Sequence, residues 1–185
     1  SNTLGVVGTF PADDVNDEIN AFFAGAKSVN DDIKQKVAFI ESWYDPGKAA
    51  EMTSAQISTG ADMIFSLAGN FQPCEENNLL CFGNFSDQNS FSPESVLSSA
   101  VANWDPDVNW IIDEWWNFKS NGAALDGNTD IVWSSMADGG STIAPYHGLA
   151  DNIPDDVKAL VEETAANIRS GAFVVPLDVS EPKSD

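Results

Sequence analysis

Three stretches decide the fold: Leu4-Gly-Val-Val-Gly8, the segment from about Asp13 to Lys27, and Val37-Ala-Phe-Ile40. The first is a short apolar run of the kind found in a buried strand. In the second, Ile19, Phe22, Phe23 and Ala26 recur at i, i+3, i+4 and i+7, one face of a 3.6-residue period. The third is again an apolar run and carries on to Trp43. A helix between two such runs implies parallel strands joined by a right-handed crossover.

The pattern continues outward. Asp45-Pro46 opens another helix, with Asp45 as N-cap and Pro46 at the first helical position, and Gly60 is placed to close it. Met63-Ile-Phe-Ser-Leu67 is a third strand and Leu79-Leu-Cys-Phe82 a fourth, with room in 70–78 for one short turn of helix. Alternation of this kind predicts a doubly wound parallel α/β sheet. Further on, 96–101 reads as a strand, and Asp105-Pro106 begins a helix whose Val108, Ile111, Ile112 and Trp115 share a face. Residues 130–133 and 141–144 are expected as short strands around an Asp138-Gly139-Gly140 turn. A helix from Pro154 to Ser170 stops at Gly171, Phe173-Val-Val175 is expected as a final strand, and the chain after Pro176 as a frayed tail.

Composition narrows the function. Of the 185 residues, 29 are acidic and 8 basic, a net charge of −21 with the one histidine neutral. Such a chain repels phosphate backbones and anionic headgroups, which excludes electrostatically driven binding to nucleic acid or to a membrane surface. An apolar share of 43%, with 11 phenylalanines and 6 tryptophans, supplies a buried core. No apolar run has the length of a membrane span. Cys74 and Cys81 are close enough in sequence to bridge in an oxidising compartment, and equally compatible with two reduced thiols. Metal-ligand spacing is lacking, since His147 is the only histidine. Neither G-x-S-x-G, nor a P-loop, nor G-x-G-x-x-G occurs. A serine nucleophile would have to be Ser86 or Ser135 beside His147, and no local motif supports either, so an enzyme is not expected.

Ligands of open parallel sheets bind outside the carboxyl ends of the strands. Here those ends read Thr9-Phe10-Pro11, Ser42-Trp43-Tyr44, Ala68-Gly69-Asn70-Phe71 and Gly83-Asn84-Phe85-Ser86-Asp87. Each sets a ring beside small or polar residues, the composition of a small-molecule pocket. Candidate ligand-binding residues are therefore Phe10, Trp43, Tyr44, Gly69, Asn70, Phe71, Asn84, Phe85, Ser86 and Asp87, with Trp104 and Asp138 added from the later loops. The plainer alternatives are core packing for Phe10 and Phe71, and turn formation for Asn84, Asp87, Ser135 and Asp138.

Gly5-Val-Val-Gly-Thr-Phe-Pro11, Ile19-Asn-Ala-Phe-Phe-Ala-Gly-Ala-Lys-Ser-Val-Asn30, Trp43-Tyr-Asp-Pro-Gly-Lys48, Gly60-Ala-Asp62, Phe82-Gly-Asn-Phe-Ser-Asp-Gln88 and Ile168-Arg-Ser-Gly171 occur in an order that resembles the basic membrane protein family. These are substrate-binding lipoproteins of ABC importers, of the purine-nucleoside-receptor type. The resemblance implies a type I periplasmic-binding fold, in which two α/β lobes joined by hinge strands close on a ligand. It also implies a purine base or nucleoside as ligand, no cofactor, an ABC permease as partner, and a lipid-anchored location on the outer face of the cytoplasmic membrane. On that pattern 1–95 corresponds to the second lobe, 96–145 to elements that return to a first lobe, 146–176 to a C-terminal helix and strand, and 177–185 to a flexible tail. The first lobe and its lipid-bearing cysteine are expected to precede this stretch, so a fragment is expected, with Ser1-Asn2 as a tag scar.

The resemblance departs at the site. Phe85 stands where the nucleoside-binding branch has a ribose-binding carboxylate, and Ala102 where it has a lysine. A second branch, tied to free purine bases, is closer in Trp-x-Asp-Pro-Gly-Lys, Asn103-Trp104 and Ala144-Pro-Tyr146. The expectation is a solute-binding component that takes a planar purine-like ligand, the alternative an extracellular sensor domain of the same fold.

Overall fold

In a computed structural model, which describes residues 1–125, 132 and 134–185, six strands form one sheet in the order β2-β1-β3-β4-β5-β6. The strands are β1 (Thr3–Gly8), β2 (Lys34–Phe39), β3 (Met63–Ser66), β4 (Cys81–Phe85), β5 (Val96–Ala102) and β6 (Ser141–Ile143). The first five are mutually parallel and β6 pairs antiparallel with β5. The helices are α1 (Asp13–Val29), α2 (Pro46–Ser58), α3 (Gln72–Glu76), α4 (Asp105–Asn121) and α5 (Asp155–Ser170). The doubly wound architecture is the expected one, with the winding reversed between β1 and β3.

Side chains alternate across the sheet with the two-residue period of a strand. Leu4, Val6, Phe65 and Leu67 face α1, where they meet Val15 and Ile19. Phe22 stacks on Phe65 with ring centroids 4.1 Å apart and meets the edge of Phe82 at 5.2 Å. On the opposite face, Ile64, Cys81 and Val96 pack with Phe71 and Cys74, while Val7 and Ile40 pack with Ala49 of α2. Cys74 and Cys81 are buried and unbridged. The neighbouring Cys74 thiol, together with burial, pushes the Cys81 thiol well above its ordinary range.

The end signals of the helices act as their chemistry requires. The Asp45 carboxylate accepts from the Lys48 N–H at 2.9 Å, with Pro46 in the first turn. Gly171 closes α5 at φ 75°, a left-handed position that a Cβ would disfavour.

Three expectations need correction. β2 spans 34–39 and not 37–43, because the edge strand pairs along the whole of β1, with Thr3 opposite Lys34. Phe173-Val-Val175 forms no strand: Phe173 and Val174 lie exposed beyond α5. The stretch after Pro176 is laid against the body. Val179 and Asp178 carbonyls accept from Asn16 and Asn20 of α1, and the Ser184 hydroxyl oxygen accepts from Val37 N–H at 2.9 Å. Gln35 and Asp185 exchange backbone and side-chain hydrogen bonds. The strand expected over 130–133 lies outside the described residues apart from Val132, whereas that over 141–144 is β6.

α4 and α5 have no buried residue. Val108, Ile111, Ile112 and Trp115, the apolar face read from the periodicity of α4, are all exposed.

Candidate functional site

Parallel strands put the carboxyl ends of β1 to β5 along one edge of the sheet, and the aromatic loops follow those ends. After β1 and β2, the rings of Phe10 and Trp43 meet at 5.1 Å with their planes tilted by 58°. Trp43 and its neighbour Tyr44 are exposed. After β3, Gly69 adopts φ 74°, and the Asn70 side chain is spent on the backbone: its Nδ2 donates to the Pro46 carbonyl and its Oδ1 accepts from Gln72 N–H. Phe71 is only 2% exposed and sits in the core beneath α3, so it presents no ring to this edge.

The loop after β4 carries the unusual chemistry. β4 and β5 shift register between Cys81 and Phe82, a bulge of the sort that re-aims side chains near sites. Phe85 then takes φ 61°, a left-handed conformation that an aromatic residue adopts only under constraint, and leaves its ring 56% exposed. Asn84, buried, donates from Nδ2 to Glu18 Oε2 at 3.3 Å. Gln88 knits the loop underneath: its Oε1 accepts from Asn84 N–H at 3.1 Å and its N–H donates to Ser99 Oγ at 3.2 Å.

Glu18, Phe85, Ala100, Val101, Ala102, Ser141 and Thr142 line an open cavity of about 190 Å³. Glu18 comes from the second turn of α1. Burial pushes its carboxyl up to about 7, against the Asn84 hydrogen bond, and Asp14 and Asp17 add to the rise. Nothing in the sequence singled out Glu18, one acidic residue among 29. The only available signal was its place one residue before the apolar stripe of α1.

The remaining candidates are dispersed. Asp87 Oδ2 pairs with His147 Nε2 at 2.7 Å, which fastens the β4 loop to the 3₁₀ turn His147–Asn152 and holds the Asp87 carboxyl below its usual range. His147 thus has a carboxylate partner and no serine: Ser135 Oγ donates to Asp138 Oδ2 at 2.6 Å. That bond makes Asp138 the lock of its own turn. Ser86 is exposed, its N–H donating to the Asn84 carbonyl, and Trp104 stands exposed at the start of α4. No group of three or more metal-ligating side chains is found among the described residues.

Comparison with known proteins agrees with this architecture. A solved ABC transporter solute-binding protein from Conexibacter woesei superimposes with a TM-score of 0.69 at 17% identity, covering 95% of this chain and 57% of that one. A transcriptional activator of the comK gene from Bacillus halodurans gives a TM-score of 0.72 at 21% identity, covering 93% and 58%. A curated purine-binding protein of Brucella abortus is 37% identical over 172 residues, 90% of this chain and 45% of that protein. The chain thus spans about half the length of these relatives. The model of the Bmp family, described as ABC transporter substrate-binding protein PnrA-like, matches residues 1–135. The match covers most of the chain, which therefore belongs to the Bmp family of PnrA-like ABC transporter substrate-binding proteins.

Proposed function

We propose that this chain supplies one wall of a ligand cleft in a non-catalytic importer component, and that the ligand is a purine base or a close planar relative. The observation that carries the proposal is the edge at the end of β4. There the constrained, exposed Phe85 ring stands beside the Glu18–Asn84 pair, with the Phe10–Trp43 rings on the same edge of the sheet. Rings give a flat heterocycle faces to stack on, and the carboxyl–amide pair gives direction. The 37% identical relative named as a purine-binding protein supports the same class.

The opposing wall would come from a preceding lobe; β5 and β6 belong to this sheet, so within 96–145 the segment that reaches that lobe is α4, which leaves the sheet between them. The exposed apolar face of α4 is the surface such a lobe would cover. Closure then follows from contacts made by both walls, which favour the closed form by their differential affinity and present it to a permease outside the cytoplasm. Phe85 and Ala102 occupy the two positions where ribose recognition would need polar groups, so a free base is favoured over its nucleoside.

Calorimetric titration of the protein as its gene encodes it tests this. Adenine or guanine is expected to bind, and adenosine more weakly. Binding of adenosine in preference to every base would overturn the free-base reading, and binding of no purine at all would overturn the ligand class. A ligand response that recruits a transcriptional or signalling partner, with no permease engaged, would instead favour a sensor.

A further inference from the structure

We propose that Glu18, as a neutral acid held by Asn84, selects among purines by their Watson–Crick edge, favouring one in which that edge sets a bare ring nitrogen beside an amino group, as in adenine. The proposal rests on the purine reading above and adds the residue that decides within that class.

The geometry isolates Glu18. Among the described residues it is the one ionisable side chain lining the cavity beside Phe85, whose other walls are Ala100, Val101, Ala102, Ser141 and Thr142. Asn84 Nδ2 donates to Oε2 at 3.3 Å, and among the described residues Oε1 has no hydrogen-bond partner. A carboxylic acid with its proton on Oε1 is a donor beside an acceptor, and the carbonyl-type Oε2 has two lone pairs. One of them takes the Asn84 amide, and the other remains for a ligand amino group. A ring nitrogen next to that amino group accepts the Oε1 proton, so both ligand atoms are paired at once.

Ionised Glu18 offers acceptors only. Facing a bare ring nitrogen, it sets lone pair against lone pair and leaves a polar group unpaired, whereas guanine still meets it with a ring N–H and an amino N–H. The neutral form is accessible because burial raises the carboxyl toward 7. Other charged groups acting on it are Asp14 and Asp17, both on α1. β4 contributes only the Asn84 amide and the Phe85 ring, and β5 and β6 contribute alanine, valine and hydroxyl side chains. Asp87 and His147 are paired with each other and do not line this cavity.

Equilibrium dialysis with labelled adenine and guanine, run on the whole gene product between about pH 6 and pH 8.5, tests the proposal. Adenine affinity is expected to fall about tenfold across that range while guanine affinity holds or rises. Glu18→Gln, whose amide is a permanent donor beside an acceptor, is expected to bind adenine with one affinity at both pH values. Glu18→Ala is expected to weaken adenine about tenfold at the acid end, with its fold checked by circular dichroism. Parallel pH profiles for the two bases, or a pH dependence for adenine that survives in Glu18→Gln, would overturn the role of Glu18 and leave the purine reading standing. Failure of the unaltered protein to bind either base would overturn both.

Discussion

Gly83→Ala probes the knot that holds the β4 loop in place. A Cβ at Gly83 would drive into the Gln88 carboxamide and lie 2.9 Å from Ser99 Oγ and 3.1 Å from Gln88 Cβ. Retreat of the Gln88 carboxamide draws its Oε1 off Asn84 N–H, while the backbone N–H of Gln88 stays bonded to Ser99. Overpacking of this kind costs about 1–3 kcal/mol, and loss of the Asn84 hydrogen bond adds about 1 kcal/mol. The expected sum, about 2–4 kcal/mol, lowers the melting temperature by roughly 5–12 °C for a chain of this size. Urea denaturation of Gly83→Ala, Gln88→Ala and the double variant measures it. Gln88→Ala alone is expected to cost about 1 kcal/mol for the lost acceptor. The double variant should cost less than the two singles together by at least about 1 kcal/mol, because the carboxamide is no longer there to be struck. Additivity within about 0.5 kcal/mol would refute the clash and the knot with it.

Three other expectations follow from the same structure. Asp45→Ala removes the acceptor for Lys48 N–H at the start of α2 and should cost about 0.5–2 kcal/mol by chemical denaturation. Trp115→Ser on α4 should change the stability of this chain by less than about 0.5 kcal/mol, because the helix buries nothing here; a larger loss would show that its apolar face already has a partner. Glu18 should make stability fall with pH. Its folded carboxyl titrates near 7 and its unfolded one near 4.5, so between those values the unfolded state gives up its proton first. The penalty is absent below about pH 4 and complete above about pH 8, on the order of 1–3 kcal/mol. Glu18→Gln should therefore be more stable than the unaltered chain at about pH 8 and equal to it at about pH 4, measured by urea midpoints; equal midpoints at both would contradict the burial argument.

How much of this could be read from residues alone varies with the physics behind each signal. Apolar runs and the α1 stripe determine the sheet and its doubly wound order because strands and helices bury their faces with different periods. Asp45-Pro46 and Gly171 were readable because caps depend on neighbours in the chain. β2 departs from its apolar run for the opposite reason: Lys34 and Lys36 suit an edge strand, and edge pairing is decided by β1, not by apolar content. Phe173-Val-Val175 has strand composition and no strand to pair with. Phe71 reads in sequence either as a ligand ring or as a core ring, and the fold selects the second, because it leads into α3, the short helix expected within 70–78, and packs beneath it. Glu18 was invisible, since only the fold brings it to Asn84 across 66 positions of sequence.

The C-terminal stretch laid along β2 has a consequence for handling the protein. A sheet's outermost strand offers unpaired amides and carbonyls on which a neighbouring molecule can build a further strand. Here Gln35 and Val37 direct theirs to Ser184 and Asp185, so the last few amino acids act as a stopper on that rim. Clipping them would expose a template for intermolecular β-pairing, and loss of solubility would follow proteolysis there before any loss of the core.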